Sequence, residues 1–312
     1  MRWLALLVTL AVSACSSGST SNPDGGNGTD SGPNSITKSV SIGPIALAAG
    51  EEKTVCVVVP LGNDQDLAVT GAEVALAQGS HHMIVYASTA LPTSTPYPCA
   101  PFTGIALGTD SPLVFANKQM AKFEFPSGIA QDVAANQMIK IEAHYINTSP
   151  NPIEGKGTVT FHAIPKASAP PYQTADFAFW GTQKINVPAH STASTGQQFQ
   201  VGAAGMHLIF ITTHQHRLGT NATVWESPAA GQLGTQIAND ANWADPALTP
   251  LAPQYDFDGT NGLSYQCDWN NTTDTAVHFG ESALDEMCFF GGYYYPSHGL
   301  DLCIDHKCKN RQ

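Results

Sequence analysis

The chain has 312 residues, with 13 Lys and Arg against 25 Asp and Glu and a net charge of −12 at pH 7. That sign repels phosphate and excludes nucleic acid as a partner; the sparse charge otherwise serves solubility. The length accommodates one large or two ordinary domains.

At the N-terminus, Arg2 precedes an apolar run from Leu4 to Val12, broken only by Thr9. The run is well short of the ~20 apolar residues that span a bilayer and reads as an export signal. It ends in Val12-Ser13-Ala14-Cys15, which resembles a bacterial lipobox. Residues 1–15 are therefore expected to be a lipoprotein signal with Cys15 the lipidated residue. A cleaved signal with an incidental cysteine is the alternative. Residues 16–37 are rich in Ser, Gly, Asn, Asp and Pro and are expected to be a disordered tether. Localisation follows: exported, at the periplasmic face or cell envelope, and anchored to the membrane through lipid.

Beyond the tether, short β-prone runs alternate with Gly, Pro, Asn and Asp. Val55–Val59, Met83–Tyr86, Met138–Tyr145, Thr158–Ile164, Met206–Thr213 and Ala222–Trp225 all read as strands. Many short strands with frequent turns predict an all-β fold of sandwiches. The Pro-rich stretch Pro165–Tyr172 marks the boundary. It gives domains at 38–166 and 172–312, each of about 130–140 residues, with no evident sequence repeat.

Apart from Cys15, the cysteines are Cys56, Cys99, Cys267, Cys288, Cys303 and Cys308. An even number in an exported chain predicts three disulfides, among fifteen pairings the sequence allows. Cys303 and Cys308 read as a short disulfide loop rather than a metal loop with His298 and His306.

The histidines carry the candidate chemistry. His81 and His82 open a strand, where neighbours point to opposite faces. They can share a metal only across a twist or bulge. Lys140, Glu142 and His144 alternate with Ile141, Ala143 and Tyr145, which puts His144 on the polar face of its strand, away from the packed side. His214 and His216, two residues apart, project from one face and can reach one metal. A structural histidine pair or a zinc site are the competing readings. Met287 offers a thioether, a soft ligand that favours Cu(I) over zinc, although most methionines fill cores. A Cys267–Cys288 pairing would pin its loop. His162, His190, His207, His278, His298 and His306 read as structural or surface residues, with His207 a weaker candidate for orienting a ligand.

Four motifs together resemble the copper type II, ascorbate-dependent monooxygenases, a family that includes dopamine β-monooxygenase and peptidylglycine α-hydroxylating monooxygenase. They are His81-His82-Met83, Ile141 to Tyr145 around His144, His214-Gln215-His216, and Cys267 through Asp285-Glu286-Met287-Cys288 to Tyr294-Tyr295-Pro296. The resemblance implies two jelly-roll-like antiparallel β-sandwich domains packed around a solvent-accessible cleft. It implies two coppers per chain, one held by His81, His82 and His144 and one by His214, His216 and Met287. The second trio would be catalytic. O2 and a small-molecule substrate would be the reactants, with ascorbate or a similar reductant as co-substrate and a C–H bond hydroxylated. Disulfides Cys56–Cys99 and Cys267–Cys288 are implied as well. No protein partner is inferable.

Departures narrow this. Thr212 stands where the peptide-amidating enzyme has a substrate-anchoring arginine, and Gly291 where it has a tyrosine. Peptidylglycine is therefore not the expected substrate. An exported copper-binding or storage lipoprotein on the same scaffold is the runner-up, and a structural β-sandwich lipoprotein the third reading.

Overall fold

A computed structural model describes residues 35–102, 104–105, 109–117 and 120–309. The predicted signal, Cys15 and nearly all of the tether lie outside the described residues. Their regular secondary structure is almost entirely strand, with a 3₁₀ turn at Lys166–Ser168. None of their helices is long and apolar enough to cross a membrane.

The N-terminal half contains β1 (Ile36–Leu47), β2 (Glu52–Pro60), β3 (Leu67–Leu76), β4 (Ser80–Ser88), β5 (Tyr97–Pro98), β6 (Ser111–Ala116), β7 (Met120–Glu124), β8 (Ile129–Val133), β9 (Met138–Ile146) and β10 (Ile153–Pro165). They form two sheets, β1-β10-β3-β8 and β5-β2-β9-β4-β6, with β7 on β3. After the 3₁₀ turn, β11 (Gln173–Thr174) returns to pair in parallel with β8. The C-terminal half contains β12 (Asp176–Thr182), β13 (Asn186–Val187), β14 (Ser191–Ser194), β15 (Gln198–Val201), β16 (His207–His214), β17 (Gly219–Ser227), β18 (Gln236–Asp240), β19 (Thr249–Asp256), β20 (Gly262–Asn271), β21 (Val277–His278), β22 (Cys288–Tyr295), β23 (Asp301–Ile304) and β24 (Lys307–Lys309). Its main sheets are β19-β16-β22-β12-β23-β24 and β14-β20-β17-β18. Five of the expected strands fall inside β2, β4, β9, β10 and β17, and Met206–Thr213 overlaps β16.

The halves repeat one another. The order β1-β10-β3-β8 recurs as β12-β22-β16-β19, and β2-β9-β4-β6 recurs as β14-β20-β17-β18. A side-chain device recurs with it. Asn147, just past β9, donates from Nδ2 to the carbonyls of Leu47, Ala48 and Asn151, and its Oδ1 accepts from Ser149. Asn271, at the end of β20, donates to Val187, Pro188 and Thr275 and accepts from Thr273. Both asparagines are buried. Each ties three loop carbonyls that would otherwise lose hydrogen bonds on burial.

The halves do not meet through equivalent sheets. The N-terminal half presents β2-β9-β4-β6 together with β7 from its other sheet, and the C-terminal half presents β16-β22-β12; the counterpart of that sheet, β1-β10-β3, carries exposed serines on its outer side. Aromatic side chains close the seam. Phe115 lies 6.1 Å from Phe177, and Phe123 stacks on Tyr293 at 4.9 Å. The Tyr293 hydroxyl donates to the Leu113 carbonyl at 3.0 Å. One core runs continuously across the seam, and a second lies within the C-terminal half. Each buried aromatic contributes roughly 1.5–3 kcal/mol, so the seam is held like a domain core.

This arrangement explains the burial patterns. Outer β1 alternates, with Val40 and Ile42 buried between exposed Ser39 and Ser41. Inner β9 is buried on both faces from Ile139 to Tyr145. The expectation that Lys140, Glu142 and His144 face away from packed structure is thereby corrected. They form a polar stripe, but other parts of the chain cover it. The three disulfides are Cys56–Cys99, Cys267–Cys288 and Cys303–Cys308.

Candidate metal centre

His82 sits directly opposite His144 in the β4–β9 ladder, and the register slips between Ser80 and His82. That bulge is the local distortion two adjacent histidines need, since a regular strand would send them to opposite faces. The His81 and His82 ring centres are 5.2 Å apart, and each lies within 5.3 Å of His144. The ligand nitrogens of this trio lie within 4.8 Å of one another.

On the other side, β16 ends at His214, and His216 stands in the following turn. Their rings are nonetheless 5.3 Å apart on one side of the chain. In the β16–β22 ladder His214 opposes Phe289. Extending that register places Met287 opposite His216. Met287 is 1% exposed, and its neighbour Cys288 is tied to Cys267.

The two groups do not face each other across open solvent. His81 lies 5.4 Å from His214 and 5.6 Å from His216, and it forms a second compact trio with them. The five imidazoles make one cluster, each no more than 5% exposed. The expected solvent-accessible cleft is closed here because the inner sheets of both halves pack together through the aromatic seam. Trp243, from the loop after β18, covers His81 at 5.4 Å.

Burial pushes the pKa of His81, His82 and His214 well below the ordinary histidine value, with neighbouring imidazoles adding to the effect. His216 falls to about 4 for the same leading reason. Neutral imidazoles keep a lone pair to give. Both ring nitrogens of His82 and His214, Nε2 of His81 and His216, and Nδ1 of His144 are buried without a hydrogen-bond partner. Buried polar atoms are normally paired, so a cluster of orphans is the signature of a ligand set. These nitrogens, together with the Met287 thioether, fit copper.

Flanking groups set which nitrogen is offered. His216 Nδ1 donates to the Asp285 carbonyl at 3.1 Å, which leaves Nε2 for a metal. His144 Nε2 donates to Glu52 Oε1 at 2.8 Å, which leaves Nδ1. Such outer hydrogen bonds fix tautomer and ring orientation. Glu52 also accepts from the Ala283 amide at 2.8 Å and the Ser282 hydroxyl at 3.2 Å. It thus ties the His144 side to the loop leading to Met287. The bond from His144, with those from Ala283 and Ser282, holds its pKa down at about 2 against burial.

Glu286 does similar work on the opposite side. Its carboxylate accepts from the backbone amides of His216, Leu218 and Met287 and from the Trp269 indole. One buried group therefore shapes the turn carrying His216 and the approach to Met287. Glu142 accepts the Phe102 amide at 2.6 Å and the Tyr86 hydroxyl at 3.1 Å. Burial raises its pKa to about 7, against those hydrogen bonds.

Thr212 and Gly291 oppose each other in the β16–β22 ladder. A Cβ on Gly291 would lie 2.7 Å from the Ala178 carbonyl oxygen, so no tyrosine fits. The space beside them admits no water-sized molecule. Of the other histidines, His207 pairs with Asp256, His190 with Asp274 and His298 with Asp301, all apart from the cluster.

Glu52, Trp243 and Phe102 were missed in the sequence. Glu286 carried a usable signal, an acidic residue directly before the candidate methionine ligand.

Residues 182–311 match the family described as copper type II ascorbate-dependent monooxygenase, C-terminal domain. The match supports that family and covers His214, His216 and Met287. No curated protein matches the chain by sequence. Among solved structures the chain is similar to the major capsid protein P2 from bacteriophage PM2, at 8% identity and a TM-score of 0.36, over 83% of this chain and 97% of that one. It is also similar to a Broad Bean Stain Virus structure, at 9% identity and a TM-score of 0.31, over 83% and 87%. Scores that low carry no argument about function.

Proposed function

We propose that this chain is a copper-dependent monooxygenase that hydroxylates a substrate C–H bond using O2 and an ascorbate-like reductant. The observation that carries the reading is the enclosed set of five imidazoles with orphaned nitrogens, with buried Met287 opposite His216 in the extended strand register. Assigning each side chain once gives His81, His82 and His144 to one copper and His214, His216 and Met287 to another. Copper held there supplies one-electron redox chemistry and the activation of O2, and the thioether favours Cu(I).

The protein's own contribution is positional. The β4 bulge turns His81 toward His82, and the Glu52 and Asp285 oxygens orient His144 and His216. The aromatic seam excludes water from around the imidazoles, and Glu286 holds the turn after His214. The matched family supports the activity.

A second reading, copper binding or storage without oxygenase activity, draws on the same enclosure: no imidazole is more than 5% exposed. Copper analysis and oxygen uptake separate the two. The monooxygenase reading expects two coppers per chain and ascorbate-dependent O2 consumption with a C–H substrate. Met287→Ile should abolish that consumption while the copper at His81, His82 and His144 is retained. Two coppers with no uptake across a broad substrate panel would favour storage, and no bound copper would sink both. We further propose export and lipid anchoring through Cys15 at the cell envelope, a reading supported by three disulfides, which persist in oxidising compartments.

A further inference from the structure

A cavity of about 440 Å³ opens beside Met287. Cavities in the range of ~300–1,000 Å³ accept small organic ligands. Phe102, Phe179, Phe279 and Phe289 line it together with Met287. Hairpin β23–β24 supplies a further wall through Leu302 and Ile304. That hairpin is rigidly built. Cys303 and Cys308 are bonded across it, and Asp305 and His306 form its turn with φ of 52° and 65°. These are the angles a two-residue hairpin turn requires. Asp305 also fastens the turn to β12, accepting the Thr182 hydroxyl at 2.5 Å.

Charged lining residues are balanced: Lys307 and Lys309 against Glu281 and Asp305. Two of each sign give the lining no net charge to favour ions of either sign, and the apolar walls penalise a charged group that finds no partner. Phe102 links this cavity to the imidazoles. Its ring lies 5.0 Å from His82 and 5.7 Å from His214 while also lining the cavity. Its φ of 56° is unfavourable for a bulky residue, and the Glu142 carboxylate holds its amide.

We propose that this cavity is the substrate pocket, and that the substrate is an uncharged, predominantly hydrocarbon molecule. The ligand's chemical fate rests on the monooxygenase reading, whereas its binding does not.

The test is fluorine NMR titration of the purified full chain, metal-free and copper-loaded. The probes are 4-fluorotoluene, 4-fluorophenethylammonium and 4-fluorophenylacetate. The neutral probe should bind at least ten-fold tighter than either ion. Ile304→Trp, which fills the cavity, should weaken that binding ten-fold or more. Gln183→Trp places the same bulk on an exposed lining position where folding is not at risk, and should do likewise. Equal or tighter binding of either ion would overturn the proposal. So would undiminished 4-fluorotoluene binding in a folded tryptophan variant. Copper content and O2 uptake, measured on the same preparations, report separately on the monooxygenase reading.

Discussion

Replacing Glu286 with Gln probes how the centre is held, because it changes one atom of a group that touches no solvent. Oε2 accepts from His216 N at 3.0 Å, Trp269 Nε1 at 2.8 Å and Met287 N at 3.3 Å; Oε1 accepts from Leu218 N at 2.8 Å. Glutamine keeps a single acceptor. Its best orientation puts the amide oxygen at the three-donor corner and turns NH2 toward the Leu218 amide. One bond to a charged acceptor, worth about 1.5–3 kcal/mol, is lost, and the other three fall to the weaker neutral class. Against that, burial raises the Glu286 pKa, and the neutral amide avoids the cost of burying that charge. The net expectation is a loss of about 2–4 kcal/mol. Urea unfolding of the metal-free full chain measures it, since bound metal would add its own stabilisation. The midpoint should fall with an unchanged denaturant slope. A loss under about 1 kcal/mol would refute the idea that this carboxylate clamps the turn and the methionine loop.

Two further outcomes follow. Glu52→Gln keeps the side chain's shape but weakens its hold on His144 and the 282–283 loop, so copper affinity should drop about 10–100-fold; competition with a chelator measures this, and unchanged affinity would remove Glu52 from the site. Asn147→Ala and Asn271→Ala should each cost about 2–4 kcal/mol, and the two thermal or urea shifts should be alike because the asparagines make matching bonds in the two halves.

Much of this was legible locally. Strand-forming runs mark β2, β4, β9, β10 and β17 because short-range pattern reflects burial, and His214 and His216 declare themselves by spacing. What was hidden depends on distant contacts. Glu52 meets Ser282 across 230 positions of chain, and no local pattern encodes that. The stripe Lys140, Glu142 and His144 reads as solvent-facing because alternation cannot tell water from a second polar layer. In the structure Lys140 meets Asp110 at 3.2 Å, and Glu142 meets Phe102 and Tyr86. The closed cluster follows from how one half seats on the other, which neither half's sequence specifies alone. The repeat was invisible for a related reason: equivalent strands carry different side chains, since one sheet faces outward in one half and inward in the other.

That unequal seating has a consequence for assembly. Two like sandwiches joined front to back are related head to tail, and head-to-tail contacts between copies do not close on themselves unless rotation brings them into a ring. In principle, a third sandwich could add where the second ends. The outer face of β1-β10-β3 is dressed against this: hydroxyl pairs Ser39–Thr160 and Ser41–Thr158 stand on it, and Lys122 bridges Glu73 and Glu124 beside them. Those polar groups act as the terminal cap of a two-unit stack, much as the outermost repeat of a solenoid stops its growth.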